Sequence, residues 1–198
     1  MVASTAGQAE EAAIPVVEGP VTGGQRGYPF CSSNRNLAEL GYEEVEYFLS
    51  GQAVKYEPVG DLDESGRWSV RAAAKASYKT RLLVRRPRES GRFNGTVILY
   101  WTNVSAGFEN IEDSDVLYDG FALVAVSAQR AGIDGFAAVP FGLKVWDPER
   151  YGSLSHSGDT YSFDIFTQAA RAVSAIADNV QGQCLPPTPF RLSGRLGE

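Results

Sequence analysis

Two short, continuous runs of apolar residues constrain the fold more than any other feature of this sequence. Residues 95–101 (GTVILYW) and 121–127 (FALVAVS) lack the alternation of apolar and polar residues that marks a strand with one solvent-exposed face. Such runs are typical of parallel strands that are covered on both faces. The intervening residues 109–118 have the length of a short crossover helix that Asp119 and Gly120 would end. The pattern therefore predicts a βαβ unit with two central, parallel strands.

The segment before this unit predicts two antiparallel strands. Residues 43–56 alternate apolar and polar side chains, with a bend or bulge expected at Gly51. A turn rich in glycine and aspartate follows at 60–66, and residues 78–85 predict the second strand, which Pro87 ends. We expect this antiparallel pair at the edge of the sheet.

The segment after the unit predicts a long insertion and then a helix. Residues 133–157 form an irregular stretch, and a loop of this length in a compact domain usually belongs to a functional site or a cap. Apolar side chains recur at helical spacing over residues 160–179, and candidate N-cap residues precede them. The fold class is thus α/β, with a mixed sheet of antiparallel N-terminal strands followed by a parallel βαβ unit and a long amphipathic helix.

Composition divides the chain into three parts. Residues 1–25 are rich in Ala, Glu, Gly and Pro without periodicity, which predicts a flexible N-terminal segment. Residues 26–180 carry the periodic elements of one domain. Residues 181–198 contain several prolines and no apolar run long enough for another central strand, so we expect an irregular C-terminal tail.

Charge and targeting signals argue against several classes of partner. The formal net charge of -6 argues against nucleic acid, and the arginine-rich stretch 81–92 is interpreted as a solvated strand face. Without a signal peptide or a membrane-spanning run, we expect no membrane partner and a cytoplasmic location. Cys31 and Cys184 are too few for a disulfide framework, and a single disulfide between them is left open.

Six segments, in order along the chain, resemble a bacterial family of α/β-hydrolase-domain proteins. The likeness extends from about Ile14 to Val180, and several long motifs in one order are more specific than a single short pattern. The segments that carry the resemblance are 41–51 (GYEEVEYFLSG), 78–87 (YKTRLLVRRP), 93–97 (FNGTV), 103–107 (NVSAG), 147–154 (DPERYGSL) and 158–166 (GDTYSFDIF).

The resemblance implies a partial α/β-hydrolase fold and a serine carboxylic-ester hydrolase. Such an enzyme carries its nucleophile on a Gly-x-Ser-x-Gly or Gly-x-Ser-x-Ser elbow, and this sequence contains neither. Residues 186–198 depart from the family pattern where the elbow strand is expected. The expectation is therefore an N-terminal portion, truncated before the elbow and inactive alone, whose completed form would act on a small-molecule ester without cofactor or metal.

The resemblance gives the loop at 103–107 the role of the oxyanion loop, with the backbone N–H groups of Val104 and Ser105 as candidate donors. A purely structural turn is the alternative. Because His156 is the sole histidine, a self-contained hydrolase would need a triad of Ser105, His156 and either Asp134 or Asp147. The other interpretation of His156 is a loop histidine near a helix start.

Three further features have two interpretations each. Asp113 and Asp115 suggest a cation site or, more simply, a solvated helix face. The large aromatic residues suggest either a wall of an acyl or alcohol pocket or ordinary core. The chain as a whole could instead be a non-catalytic remnant or binding module that self-associates through an exposed edge of the strand at 121–127. The aromatic residues in question are Trp101, Phe108, Phe136, Phe141 and Trp146.

Overall fold

The computed structural model describes residues 15–138 and 140–179, with side chains as far as Ser174. Five strands form one mixed sheet in the order β1-β2-β3-β5-β4. β4 and β5 are parallel, whereas the other neighbouring strands are antiparallel. The α/β fold class with a mixed sheet is therefore confirmed. The strands are β1 (Val16–Glu18), β2 (Tyr42–Pro58), β3 (Val70–Pro87), β4 (Val97–Trp101) and β5 (Ala122–Val126).

Both faces of the sheet are covered. The long helix α5 packs its apolar side chains, such as Ile165 and Ala169, against Leu82 and Val126 on one face. Loops and short helices cover the other face, where Phe48 and Leu83 belong to two smaller cores. The helices are α1 (Leu37–Leu40), α2 (Arg130–Asp134), α3 (Leu143–Trp146), α4 (Pro148–Tyr151) and α5 (Ser162–Asn179).

The two apolar runs form the parallel strands β4 and β5, but their positions in the sheet differ from the prediction. β5 lies between β3 and β4 and is buried throughout, so the expectation that the strand at 121–127 has an exposed edge is wrong. Among the described strands, β4 is the edge strand, and all five of its residues are only half-buried. β4 lies at the edge because the connection that follows it places β5 between β4 and β3.

The β2–β3 pair also lies elsewhere than predicted. It is interior, because the short strand β1, formed by residues placed in the flexible segment, pairs with the outer side of β2. The register shift lies between Lys55 and Tyr56, whereas Gly51 pairs regularly with Tyr78, so the bulge predicted at the glycine is wrong. The far ends of β2 and β3 form a two-stranded arm whose β3 residues are exposed from Val70 to Lys75.

The crossover between β4 and β5 is not the helix that was predicted. Only one 3₁₀ turn, Asp115–Tyr118, is present there, and the preceding residues are irregular. The physical reason is that polar side chains of this segment bond inward. Glu109 is buried against Arg81, and Asp113 accepts a hydrogen bond from Ser33. These contacts hold the backbone in a shape that a continuous helix would not allow.

The insertion at 133–157 is more ordered than predicted, because it contains the one-turn helices α3 and α4. The predicted amphipathic helix is present as α5, preceded by a 3₁₀ turn at Asp159–Tyr161. Gln168 lies off the apolar stripe but is buried, since its side-chain amide donates to the backbone carbonyl of Gln52 at 2.8 Å. None of the helices in the described ranges is long and apolar enough to cross a bilayer. Cys184 lies outside those ranges.

Candidate active site

The carboxyl ends of β4 and β5 lie side by side, and the loops that follow them form the candidate site. In open α/β sheets this is the end at which ligands usually bind. The loop after β4 leaves the sheet at Asn103 and returns at Asn110, whose backbone groups pair as an isolated bridge. The loop after β5 runs from Ser127 to Gln129, directly before α2.

A tight turn occupies the tip of the loop after β4. The Gly107 N–H donates to the carbonyl of Val104 at 2.9 Å, and Gly107 has a φ of 88°, which favours glycine. The Ser105 N–H donates to Oδ1 of Asn103 at 2.8 Å, so this oxyanion candidate is already engaged. The Val104 N–H has no hydrogen-bond acceptor among the described residues. Of the two candidate donors, Val104 is therefore the better placed.

His156 has a structural environment on both sides of its ring. Nε2 lies 2.9 Å from the carbonyl of Ala128, which can only accept, so Nε2 must carry the proton. Nδ1 in turn accepts from the Gly158 N–H at 3.1 Å. Burial lowers the pKa of His156 below its usual value and favours the neutral ring, whose proton the two hydrogen bonds place on Nε2. His156 thus ties the loop after β5 to the segment before α5.

The structure does not assemble a triad from the candidate residues. Ser105 is exposed, and both ring nitrogens of His156 already bond to backbone groups. Asp134 pairs with Lys144 at 3.1 Å, while Asp147 accepts from the Arg150 N–H at 3.0 Å and caps α4. Burial opposes the charge on Asp147, but backbone N–H groups outweigh it and lower the pKa of the carboxyl.

Beneath the turn, Glu109 anchors the loop to the sheet. Its carboxylate pairs with the guanidinium of Arg81, and both side chains are completely buried. The Thr102 hydroxyl lies 3.1 Å from Glu109 Oε1. A Cβ on Gly132 would lie 2.5 Å from the same oxygen, so α2 packs closely against this carboxylate only because it has a glycine there. The base of the candidate oxyanion loop is therefore fixed by a buried ion pair.

The same arginine connects the loop to β2 and to the segment that contains Phe30. Arg81 donates to the carbonyl of Phe30 at 2.7 Å and lies 3.5 Å from Glu46, which also binds Arg150 and Tyr151. Burial opposes the charge on Arg81, but the carboxylates of Glu109 and Glu46 outweigh it and raise its pKa.

Comparison with known protein families identifies one that matches this chain. Residues 17–191 match the alpha/beta hydrolase domain. The chain belongs to that family. Searches of curated proteins and of solved structures give no match. The family match extends past residue 186, where the tail was expected to depart from the pattern.

The buried ion pairs of this alpha/beta hydrolase domain correct the interpretation of the arginine-rich stretch. Arg81, Arg85 and Arg86 are buried rather than solvated. Arg85 donates to Glu44 at 2.8 Å, and Arg86 donates to Glu43 at 2.7 Å, in both cases across the β2–β3 register. These ion pairs could have been predicted from the sequence, because the two glutamates lie opposite the two arginines when β2 and β3 are paired.

The acidic residues of the crossover also have protein partners. Asp113 accepts from Tyr118 and lies 3.5 Å from Arg85, and Asp115 pairs with Arg35. Asp113 is therefore not part of a solvated helix face, although Asp115 is exposed. Within residues 15–138 and 140–179, no three side chains of the kinds that bind metals are grouped to hold an ion.

The candidate aromatic residues of the alpha/beta hydrolase domain fall into two groups, except Phe136, which is exposed and has no ring contact with the described residues. Phe30, Phe108 and Phe141, which we call the aromatic patch, have ring centroids 5.7–6.4 Å apart. Trp146 packs beneath the patch against Phe30 at 5.2 Å. Trp101 instead contacts Phe163 and Phe166 on α5. Phe30, which the sequence did not indicate, forms the floor of the patch.

Proposed function

We propose that this chain is the N-terminal portion of a carboxylic-ester hydrolase that works through an acyl-enzyme, and that the chain alone is inactive. It would supply the scaffold, the oxyanion loop and part of the substrate pocket. Family membership supports the hydrolase class. The observation that carries the proposal is the turn after β4, whose Val104 N–H is without an acceptor in the described part of the chain. A backbone donor of this kind is what a developing oxyanion requires.

The proposed inactivity rests on the absence of a nucleophile in a suitable setting. The sequence contains no Gly-x-Ser-x-Gly elbow. Ser105 is exposed to solvent, as a nucleophile must be to reach a substrate, but a serine hydroxyl also needs a base within hydrogen-bond reach. The only histidine is committed to Ala128 and Gly158. Ser105 therefore contributes to the shape of the turn rather than to attack.

Hydrolysis of p-nitrophenyl acetate by the purified chain tests this proposal. We expect release of p-nitrophenol no faster than in buffer with a non-enzymatic protein, and no change in Ser105→Ala. His156→Gln keeps a donor for the Ala128 carbonyl but cannot act as a base, and it should also leave the rate unchanged. Ser69→Ala, at an exposed serine in the connection between β2 and β3, is the matched control. Turnover that disappears in Ser105→Ala and His156→Gln but persists in Ser69→Ala would refute the inactivity.

A second candidate function is that of a binding module that associates through a sheet edge. The observation in its favour is that the outer side of β4 pairs with no strand in the described ranges. Its residues, Val97–Trp101, include none of the charges or prolines that usually protect an edge. Antiparallel pairing of two copies of β4 would satisfy these backbone groups, so the partner we propose is a second copy of this chain.

Sedimentation of the chain over a range of concentrations tests the association. We expect dimers or larger species, and fewer of them in Thr96→Lys, which places a charge at the exposed start of β4. Val16→Lys places the same charge on β1, at the opposite edge of the sheet, and should have little effect. A monomer at all concentrations, or equal effects of the two lysines, would argue against association through β4.

A further inference from the structure

The aromatic patch is exposed although its rings are held in fixed positions. Phe30 is buried, whereas Phe108 and Phe141 are 36% and 43% exposed. The interplanar angles between the three rings are 68–89°, so each pair meets edge to face. The patch is therefore a preformed corner of three rings, with one ring as the floor and two as partly open walls.

Backbone contacts keep the two walls apart from the main core. Phe108 is attached to the loop that the Asn103–Asn110 bridge closes. Phe141 precedes Gly142, whose backbone packs so closely on Gly135 that an added Cβ would lie 2.4 Å from the Gly135 nitrogen. The backbone positions that carry both rings are therefore restrained by neighbouring backbone.

The size of the patch decides what kind of molecule can cover it. An aromatic side chain that is fully buried covers about 150–250 Å², and Phe108 and Phe141 leave less than half of that open. A stable protein interface buries about 800 Å² on each partner. The open part of the patch is by itself far smaller than that area and matches the size of one substituent of a small molecule.

We propose that the aromatic patch binds the aryl group of a small aromatic ester. A fourth ring in this corner can meet Phe108 and Phe141 edge to face, in the arrangement that the three rings already have with one another. A saturated ring of the same size gains only apolar burial. All three side chains of the patch are hydrocarbon rings, which favour an apolar group over a charged one.

The position of the patch connects it with the turn after β4. Phe108 directly follows Gly107, which closes the turn on the Val104 carbonyl, so a ligand ring against Phe108 would lie on the same loop as the Val104 N–H. This assignment of the ester rests on the proposed function. The aryl site itself is a binding site and does not depend on turnover.

The test measures the binding of two esters to the purified chain by ligand-observed NMR titration. Benzyl acetate and cyclohexylmethyl acetate differ only in the aromaticity of the ring. We expect benzyl acetate to bind about tenfold more tightly, which corresponds to two additional aromatic pairs. Equal affinity of the two esters would overturn the aryl assignment, and binding of neither would overturn the site.

Variants locate the site and separate it from the proposed activity. Phe141→Leu should weaken benzyl acetate about tenfold, with thermal unfolding unchanged because the ring is partly exposed. Phe163→Leu, which alters an aromatic ring that is 76% exposed in the other group, should leave binding unchanged. An effect of Phe163→Leu equal to that of Phe141→Leu would refute this location. Binding of benzyl acetate together with hydrolysis that Ser105→Ala abolishes would refute the proposed inactivity but leave the aryl site intact.

Discussion

Replacing Arg81 with methionine should lower the free energy of unfolding by about 3–5 kcal/mol, the usual cost of removing one partner from a buried ion pair. Arg81 is inaccessible to solvent and faces the buried carboxylates of Glu109 and Glu46. Methionine fills most of the arginine volume, so the loss comes from the uncompensated charges rather than from a cavity. This is a large share of the stability of an ordinary domain.

Urea denaturation of the wild type and the variant at one low protein concentration measures this difference. Arg71→Met is the matched control, because Arg71 forms an exposed pair with Glu57 and should matter by less than about 1 kcal/mol. Adding Glu109→Gln to Arg81→Met removes one of the stranded charges and should restore part of the stability. An Arg81→Met variant no less stable than Arg71→Met would contradict the role given to the buried pair.

Replacing Gly142 with alanine should destabilise the chain by about 3 kcal/mol, near the upper end of the usual cost of overpacking. The new Cβ would lie 2.4 Å from the Gly135 nitrogen and 2.5 Å from the carbonyl oxygen of Ile133. Both are backbone atoms, and Ile133 is completely buried in α2, so relief requires the whole loop to shift. Because Phe141 adjoins Gly142, benzyl acetate binding should weaken in the same variant.

The control for this substitution is Gly91→Ala, where an added Cβ has no neighbouring atom within 4 Å. We expect that variant to stay within about 0.5 kcal/mol of the wild type, as surface substitutions usually do. Denaturation midpoints measured with an unchanged slope would attribute the difference to stability. Equal midpoints for the two alanine variants would show that the loop backbone adapts and that the close packing of Gly135 and Gly142 does not restrain it.

Local patterns in the sequence predicted the elements that local forces determine. The apolar runs that became β4 and β5, and the helical spacing that became α5, depend on periodicity within a short window. The position of β4 at the edge could not be obtained in this way, because strand order depends on how the crossover runs and not on the composition of either strand.

The candidate site was only partly predictable, for a related reason. The turn at Val104 and Ser105 was identified through the resemblance of residues 103–107 to the family. The ion pair beneath it joins Arg81 and Glu109, which belong to different elements, and each residue alone resembles an ordinary surface charge. The committed hydrogen bonds of His156 likewise depend on Ala128 and Gly158 reaching the ring from two separate segments.

The long β2–β3 arm gives the molecule a gradient of local stability. Near the candidate site both strands are flanked by other strands and buried side chains, whereas the far end, from Val70 to Lys75 on β3, faces solvent. A two-stranded ribbon of this kind is marginally stable in water. Amide protons at the tip should therefore exchange through local fraying, long before those of the same two strands beneath the turn, which open only when the sheet itself unfolds.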